Sequence, residues 1–150
     1  MKICVACSSG GHLMEILQVR EAYQKYEKFF FTFKREYIFD EIQSEKVYFV
    51  SDPGRNIFNL IKCIFQTFSV LFKEKPNVVI STGAGVAIPA IFLGKYIFKA
   101  KVIFIETFTR IDEPSMSGKM AYKAADYFFV QWKDLLKKYG SRAVYKGAVV

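Results

Sequence analysis

Short apolar runs alternate with longer amphipathic segments along the chain, and this alternation constrains the fold more than any other feature. The runs predict strands at residues 3–7, 29–33, 47–50, 78–81, 102–106 and 127–131, and helices at 11–25, 57–72, 86–98, 118–125 and 133–139. Strands that alternate with helices form parallel sheets covered on both faces. We therefore predict one α/β domain over residues 1–150, with a Rossmann-like, mostly parallel sheet and helices on both faces.

The composition is typical of a globular chain with surplus apolar surface. Hydrophobic residues make up 52% of the chain and aromatic residues 17%, too many for a disordered chain. The formal net charge is +8, which suits phosphate-bearing ligands or anionic lipid but also fits a basic soluble surface. Nucleic-acid binding is not expected, because the aromatic residues lie in apolar runs rather than among exposed basic residues.

The cysteines predict neither a disulfide framework nor a metal site. Their number is odd, and Cys4 and Cys7 stand in a C-x-x-C spacing inside a predicted buried strand. Zinc would need further ligands nearby, and His12 is the only histidine in the chain. We therefore expect a reducing compartment, no metal and no cofactor.

The predicted helix at residues 57–72 is apolar around most of its circumference. Its polar side chains form one narrow stripe with Lys73, namely Asn59, Lys62, Gln66 and Ser69. Either the helix is enclosed between the sheet and a neighbouring helix, or part of it faces lipid or a partner. No signal peptide is visible and no run reaches the roughly 18 to 20 apolar residues of a spanning helix, so membrane contact is expected to be peripheral.

Two glycine loops follow predicted strands and precede predicted helices. The loops contain Ser9, Gly10 and Gly11, and Thr82, Gly83, Ala84 and Gly85. Glycine lets the backbone approach a ligand closely, and the start of a helix attracts anions. In a sheet ordered 3-2-1-4-5 the first and fourth strands are neighbours, so the loops should face each other across one phosphate-binding crevice. Neither G-x-G-x-x-G nor G-x-x-x-x-G-K-[ST] occurs.

Candidate catalytic residues fall at the same edge of the predicted sheet. His12 begins a helix and is a candidate general base, unless it only hydrogen-bonds locally, and Glu15 lies on the same side of that helix. Glu106 ends a strand, and Arg110 follows in the next loop. The two suit hydroxyl and phosphate contacts or a local ion pair. Arg35 follows the second strand and leaves an NADP-dependent reductase open.

Four segments resemble one protein family in their order and spacing. They are Ser8-Ser9-Gly10-Gly11-His12-Leu13, Ser81-Thr82-Gly83-Ala84-Gly85 with Pro89, Ile105-Glu106-Thr107-Phe108-Thr109-Arg110, and Val130-Gln131-Trp132 followed by Tyr145-Lys146-Gly147. The chain resembles the PssD, CpsF and EpsE type of bacterial polysaccharide-biosynthesis protein. The eukaryotic counterpart of that type is the membrane-anchoring subunit of the enzyme that adds the second GlcNAc to dolichol-diphosphate GlcNAc. The Gly-Gly-His loop is shared with the wider GT-B group, and the Glu-x-x-x-Arg and Gln-Trp segments narrow the resemblance.

The resemblance implies the N-terminal, acceptor-side half of a GT-B glycosyltransferase that is split over two chains. It implies a C-terminal-half partner subunit that binds the UDP-sugar, a polyprenyl-diphosphate-linked saccharide as acceptor, and peripheral binding at the cytoplasmic face of the cell membrane. Gly10, Gly11 and His12 would lie by the acceptor, with His12 as the favoured base, and residues 82–85 would line the same cleft. A non-catalytic scaffold that recruits a catalytic partner to the membrane remains the alternative.

Overall fold

A computed structural model of the chain describes residues 1–34 and 42–149. Its strands form one sheet and are β1 (Lys2–Ala6), β2 (Glu27–Phe33), β3 (Val47–Val50), β4 (Val78–Ser81), β5 (Lys101–Ile105), β6 (Tyr127–Val130) and β7 (Ala143–Tyr145). The strand order is β3-β2-β1-β4-β5-β6-β7, and every neighbouring pair is parallel. The predicted Rossmann-like fold and the 3-2-1-4-5 order are confirmed. The short strand β7 was not predicted.

The helices are α1 (Gly11–Gln18), α2 (Ile57–Glu74), α3 (Ala87–Tyr96), α4 (Met116–Ala124) and α5 (Asp134–Tyr139), with a 3₁₀ helix at Arg20–Ala22. The predicted extension of the first helix to residue 25 was wrong, because α1 ends at Gln18. The Tyr23 hydroxyl donates a hydrogen bond to the Ile16 carbonyl oxygen at 2.9 Å. In a longer helix that carbonyl would accept from the backbone N–H of residue 20. The Tyr23 hydroxyl takes the place of this donor, so the carbonyl has a hydrogen-bond partner although the helix has ended.

Alternating strand side chains divide the core into two layers. Phe29, Phe31 and Phe104 pack in the layer under α2, α3, α4 and α5, whereas Val5 and Ile105 pack in the layer under α1. The layer under α1 contains fewer buried residues, and beside it the structure has an apolar groove of about 320 Å³. The groove is lined by Ile80, Ile103, Ile105, Phe129 and residues 146–149, among others. One face of the sheet is therefore less well covered than the other.

Helix α2 uses a narrow stripe to pack on the domain. The Asn56 side chain caps it by accepting from the Phe58 backbone N–H at 2.9 Å, and Lys75 ends it in a left-handed conformation with φ 48°. The buried positions of the helix fall four or three residues apart and are Cys63, Thr67, Leu71 and Glu74. Such spacing places them along one side of the helix.

The rest of α2 presents a large apolar surface to solvent. Its exposed apolar side chains are Ile57, Phe58, Ile61, Ile64, Phe65, Phe68 and Phe72. Phe58 is 78% exposed and Phe65 is 72% exposed, values far above those of core residues. None of the helices within residues 1–34 and 42–149 is long and apolar enough to cross a membrane. The structure thus favours the interpretation that α2 is only partly enclosed by the fold.

A buried carboxylate joins the last turn of α2 to the sheet. Glu74 accepts hydrogen bonds from Lys46 Nζ at 2.5 Å, Tyr48 Oη at 2.5 Å and Lys2 Nζ at 3.1 Å. Burial favours the neutral form of Glu74, yet the hydrogen bonds from Lys46, Tyr48 and Lys2 outweigh it and lower the pKa of this carboxyl to about 2. The ionised carboxylate therefore stabilises the folded state.

Glu74→Gln should lower the free energy of unfolding at neutral pH by about 1 to 3 kcal/mol, because three partly buried or exposed donors lose a buried, charged acceptor. Folding lowers the pKa of Glu74 from its ordinary value of 4.5 to about 2. The ionised carboxylate therefore stabilises the fold fully at pH values above 4.5, and this stabilisation is lost as the pH falls towards about 2. Urea unfolding at several pH values should show the variant and the wild type converging over that window. Glu27→Gln, which removes an exposed partner of Lys2, is the control. A difference that stays constant with pH would contradict this assignment.

Candidate functional site

The two glycine loops meet at the carboxyl ends of β1 and β4. The Thr82 hydroxyl donates to the His12 carbonyl oxygen at 2.7 Å and ties one loop to the other. A cleft of about 490 Å³ opens beside them, and its walls include Ser8, Ser9, Gly10, Gly11, His12, Glu15, Asp52, Ala84, Gly85, Thr107 and Thr109. The prediction that the loops face one crevice therefore agrees with the structure.

The helices that begin at this cleft lack side-chain caps. The N-termini of α2 and α4 are capped by the side chains of Asn56 and Ser115. In contrast, no side chain in the described residues caps α1 or α3, and the residue before α1 is Gly10, with φ 145°. An uncapped helix start presents backbone N–H groups and a positive dipole end to whatever occupies the cleft. The first turn of α1 is thus suited to an anion.

His12 is packed against the second glycine loop. An added β-carbon on Gly83 would lie 3.1 Å from His12 Cε1 and 3.2 Å from Ser117 Oγ, so only glycine leaves the ring this space. Gly83 also has a φ of 118°, which side chains rarely allow. Among the described residues, the buried His12 Nδ1 has no hydrogen-bond partner. A buried polar atom without a partner is costly, which favours a ligand or a solvent molecule at this ring.

Glu15 lies in the same cleft, and only one of its two carboxylate oxygens is hydrogen-bonded within the described residues. Its Oε1 atom accepts from Thr107 Oγ1 at 2.7 Å and from the Phe108 backbone N–H at 3.0 Å. Its buried Oε2 atom finds no partner in the part of the chain that the structure describes. A free carboxylate oxygen repels phosphate but accepts well from a hydroxyl. The Glu15 side of the cleft is therefore suited to a sugar hydroxyl.

Glu106 was predicted to be catalytic, and its position does not support that role. The side chain is completely buried, and its carboxyl accepts from the Thr107 backbone N–H at 3.0 Å, from Ser115 Oγ at 2.7 Å and from the Ser115 backbone N–H at 3.1 Å. The Tyr139 hydroxyl donates to it as well. The side chain of Glu106 lines neither the cleft nor the cavity beside it, and its oxygens are taken up by these donors, so Glu106 positions the loop that follows β5.

Close backbone approach at Gly118 makes this network possible. A β-carbon on Gly118 would overlap both Glu106 Oε2 and the Tyr139 hydroxyl oxygen. Burial, aided by the hydrogen bond to Glu106, raises the pKa of Tyr139, so the phenol keeps the proton that it donates. The start of α4 is thereby fixed against β5 and α5.

Other predicted site residues differ in their access to the cleft. Arg110 is exposed and lines a second cavity beside His12, and the described residues provide it with no ion pair to Glu106. The hydroxyl of Ser9 is engaged by Thr32 Oγ1 at 3.0 Å and by the Phe33 carbonyl oxygen at 2.9 Å, and Thr82 is buried. Ser9 and Thr82 therefore shape the loops, whereas Arg110 is free to meet a ligand.

The sequence prediction missed several residues of the cleft. Asp52 follows β3, and Thr107 and Thr109 follow β5, so all three stand at carboxyl ends of parallel strands. That position was the available signal, because ligands of such sheets bind at this edge. Tyr139, in contrast, reaches Glu106 from α5 and had no local signal.

The Gln-Trp segment supports the same loop from behind. Gln131 Nε2 donates to the Glu106 carbonyl oxygen at 3.0 Å, and Trp132 Nε1 donates to the Phe108 carbonyl oxygen at 2.7 Å. The Phe108 and Trp132 rings also pack with their centroids 5.0 Å apart. The Gln131-Trp132 segment and the loop after β5 thus form one structural unit behind the cleft.

Metal and redox chemistry find no support in the described part of the chain. No group of three or more His, Cys, Asp or Glu residues there is arranged to hold a metal ion. Cys4 and Cys7 are buried and unpaired by disulfide, and burial raises the pKa of the Cys7 thiol to about 12. Arg35, on which the reductase hypothesis depended, lies outside the described residues.

The model of one protein family, described as "Oligosaccharide biosynthesis protein Alg14 like", matches residues 45–149. This chain belongs to that family. An Alg14-like relative from Homo sapiens, named UDP-N-acetylglucosamine transferase subunit ALG14, is 27% identical over 190 aligned positions that cover all of this chain and 83% of the relative. The Schizosaccharomyces pombe protein of the same name is 38% identical over 61% of this chain and 47% of its own length.

Solved structures confirm the fold of this Alg14-like chain. MurG from Acinetobacter baumannii superposes with a TM-score of 0.75 at 15% identity, over 99% of this chain and 45% of MurG. UDP-GlcNAc 2-epimerase from Neisseria meningitidis gives 0.74 at 15% identity, over 99% of this chain and 47% of the epimerase. The chain therefore has the fold of the N-terminal domain of GT-B proteins and spans just under half the length of these structures.

Gly118→Ala tests the network behind the cleft. An alanine in an ordinary helix stabilises relative to glycine, but here its β-carbon would separate Glu106 from Tyr139, so we expect a loss of about 2 to 4 kcal/mol in the free energy of unfolding. Gly11→Ala is the matched control, because no atom lies within 4 Å of a β-carbon there. Urea unfolding measures both variants. Equal stabilities for the two would show that the network does not depend on this close approach.

Proposed function

We propose that this chain is the acceptor-binding, membrane-associated subunit of a glycosyltransferase that moves a sugar from a UDP-sugar to a polyprenyl-diphosphate-linked saccharide. The observation that carries the proposal is the cleft between the glycine loops, where an uncapped helix start adjoins His12 and Glu15. Membership of a family with relatives named as UDP-N-acetylglucosamine transferase subunits supports it. The cleft offers separate places for a diphosphate and for a sugar hydroxyl.

Within this proposal, His12 acts as the general base. The attacking hydroxyl of the acceptor must lose its proton as it bonds to the sugar carbon, and a positioned base speeds such a step. The imidazole packs against Gly83, and the Thr82 hydroxyl donates a hydrogen bond to the backbone carbonyl oxygen of His12. Glu15 Oε2 is buried and lacks a partner among the described residues, and in this proposal it accepts from the acceptor hydroxyl and orients it. Glu106 takes no direct part and positions Thr107, which in turn holds Glu15.

The UDP-sugar is assigned to a partner subunit that resembles the C-terminal half of a GT-B enzyme. These 150 residues superpose on 45% of the MurG chain and so correspond to one of its domains. A partner needs apolar surface to bind, and the groove along Ile103 and Phe129 on the thinly covered face of the sheet offers it. We therefore expect catalysis only in the assembled complex.

The exposed surface of α2 is assigned to the cytoplasmic face of the cell membrane. Phe68 packs on Phe98 beside α3 with ring centroids 5.5 Å apart, which extends the apolar surface beyond α2. The exposed lysines Lys62, Lys73 and Lys99 lie near this surface in sequence. Aromatic side chains bordered by lysines bind anionic bilayers peripherally.

The bacterial PssD, CpsF and EpsE type remains our finer assignment, with a capsular or exopolysaccharide as the product. The motif segments at residues 8–13, 82–85, 105–110 and 131–132 lie at the cleft or directly behind it, whereas Lys146 and Gly147 line the apolar groove. A non-catalytic scaffold is the second candidate, because the exposed face of α2 would serve recruitment equally well. The two functions differ in whether His12 takes part in turnover.

His12→Ala in the complex with the partner subunit should lower kcat by about 10²- to 10⁴-fold, the usual contribution of a positioned base. Assembly should survive, because Thr82 bonds the backbone rather than the ring of His12. Steady-state kinetics together with gel filtration of the complex measure both effects. Met14→Ala, at an exposed position of the same helix, is the control. An assembled His12 variant with normal turnover would favour the scaffold.

Phe58→Glu and Phe65→Glu should abolish flotation with anionic liposomes, because each of these apolar side chains contributes roughly 1.5 to 3 kcal/mol when buried in lipid. Both are more than 70% exposed, so their thermal unfolding should change little. Tyr127→Glu makes a similar charge change at an exposed aromatic residue in β6 and serves as the control. Unfolding of the α2 variants, or flotation equal to that of the control, would contradict the membrane assignment.

A further inference from the structure

A second cavity of about 320 Å³ adjoins the cleft on the side of α4. It shares the wall residues His12, Gly85, Thr107 and Thr109 with the cleft, so the two spaces are adjacent. Its remaining walls are Ile88, Arg110, Ser115, Met116, Ser117 and Met120. One cavity therefore combines a guanidinium with three apolar side chains.

The apolar wall comes from the first two turns of α4 and the first turn of α3. Met116 and Met120 stand one turn apart on α4, and Ile88 stands in the first turn of α3. Met116 is 75% exposed and Met120 is 41% exposed, so neither is needed to fill the core. Methionine side chains adapt to irregular hydrocarbon surfaces. This wall is suited to a flexible aliphatic chain.

The cleft and the side cavity carry side chains of opposite charge, with Glu15 in the cleft and Arg110 in the side cavity. Arg110 is exposed and forms no ion pair with any described residue, whereas Glu15, whose buried Oε2 lacks a partner among the described residues, lines the cleft. A diphosphate is attracted by the guanidinium and the start of α1, and repelled by the carboxylate. A ligand with a diphosphate in its middle would therefore place its sugar near Glu15 and its other end between the methionines.

We propose that this side cavity binds the first isoprene units of a polyprenyl diphosphate, an inference that rests on the acceptor-binding function proposed above. The remainder of the lipid would continue towards the bilayer along the exposed side of α2 and α3. An added β-carbon on Gly85 would contact Pro53 at 3.5 Å, so the loop before α2 borders the same opening. The lipid-facing helix and the cavity thus lie at one rim of the cleft.

Isothermal titration calorimetry of the full chain with farnesyl diphosphate and with inorganic diphosphate tests the inference. Farnesyl diphosphate should bind at least about tenfold more tightly, since burying a few methylene groups suffices for such a factor. The double variant Met116→Gln/Met120→Gln should lose that preference and still bind inorganic diphosphate. Met14→Gln, an exposed methionine of α1 outside the cavity, should keep it.

The alternative outcomes separate this inference from the proposed function. Equal binding of the two diphosphates, unchanged by the methionine substitutions, would overturn the isoprene site and leave the diphosphate cleft in place. Absence of binding by either compound would overturn both. Dihexanoyl phosphatidylglycerol that binds as tightly as farnesyl diphosphate, with the same loss on substitution, would show a general phospholipid site and overturn the isoprene assignment.

Discussion

A buried carboxyl group, Glu106, holds the functional edge of this domain together. Burying such a group is unfavourable unless its oxygens are hydrogen-bonded, and here Thr107, Ser115 and Tyr139 provide the donors. Those donors come from the β5 loop, the cap of α4 and the end of α5, so one side chain fixes three elements. Thr107 then holds Glu15 at 2.7 Å, which carries the constraint from the core into the cleft.

The polar groups that remain free are those that a ligand could use. The fold satisfies the hydroxyls of Ser9 and Thr82 internally, while His12 Nδ1 and Glu15 Oε2 have no partner among the described residues. Unsatisfied buried groups are uncommon in native proteins and concentrate at functional sites. In addition, the uncapped start of α1 and the exposed Arg110 favour an anion next to these hydroxyl-binding groups. Diphosphate-linked sugars combine both chemistries.

The sequence predicted the sheet and the cleft better than the details of either. Apolar runs marked six strands because buried parallel strands are nearly continuous in hydrophobic residues, and the glycine loops marked the edge where ligands bind. The end of α1 was missed because it depends on Tyr23 bonding back to Ile16, a contact that no local pattern predicts. Glu106 was taken for a catalytic group because a motif does not reveal burial, and its partner Tyr139 lies 33 residues away. The narrow polar stripe of α2 left open whether the helix is enclosed or exposed, and only the structure shows that Cys63, Thr67, Leu71 and Glu74 are its buried positions.

On this view, the cleft between the glycine loops binds a diphosphate-linked saccharide. Titration of the ¹⁵N-labelled chain with a short-chain prenyl-diphospho-N-acetylglucosamine, followed by amide NMR, tests it most directly. We expect saturable shifts at the amides of Gly10, Gly11 and Gly85, which border the cleft. Shifts confined to lysine-rich surfaces such as that around Lys99, or an absence of saturable shifts at the three glycines, would contradict it.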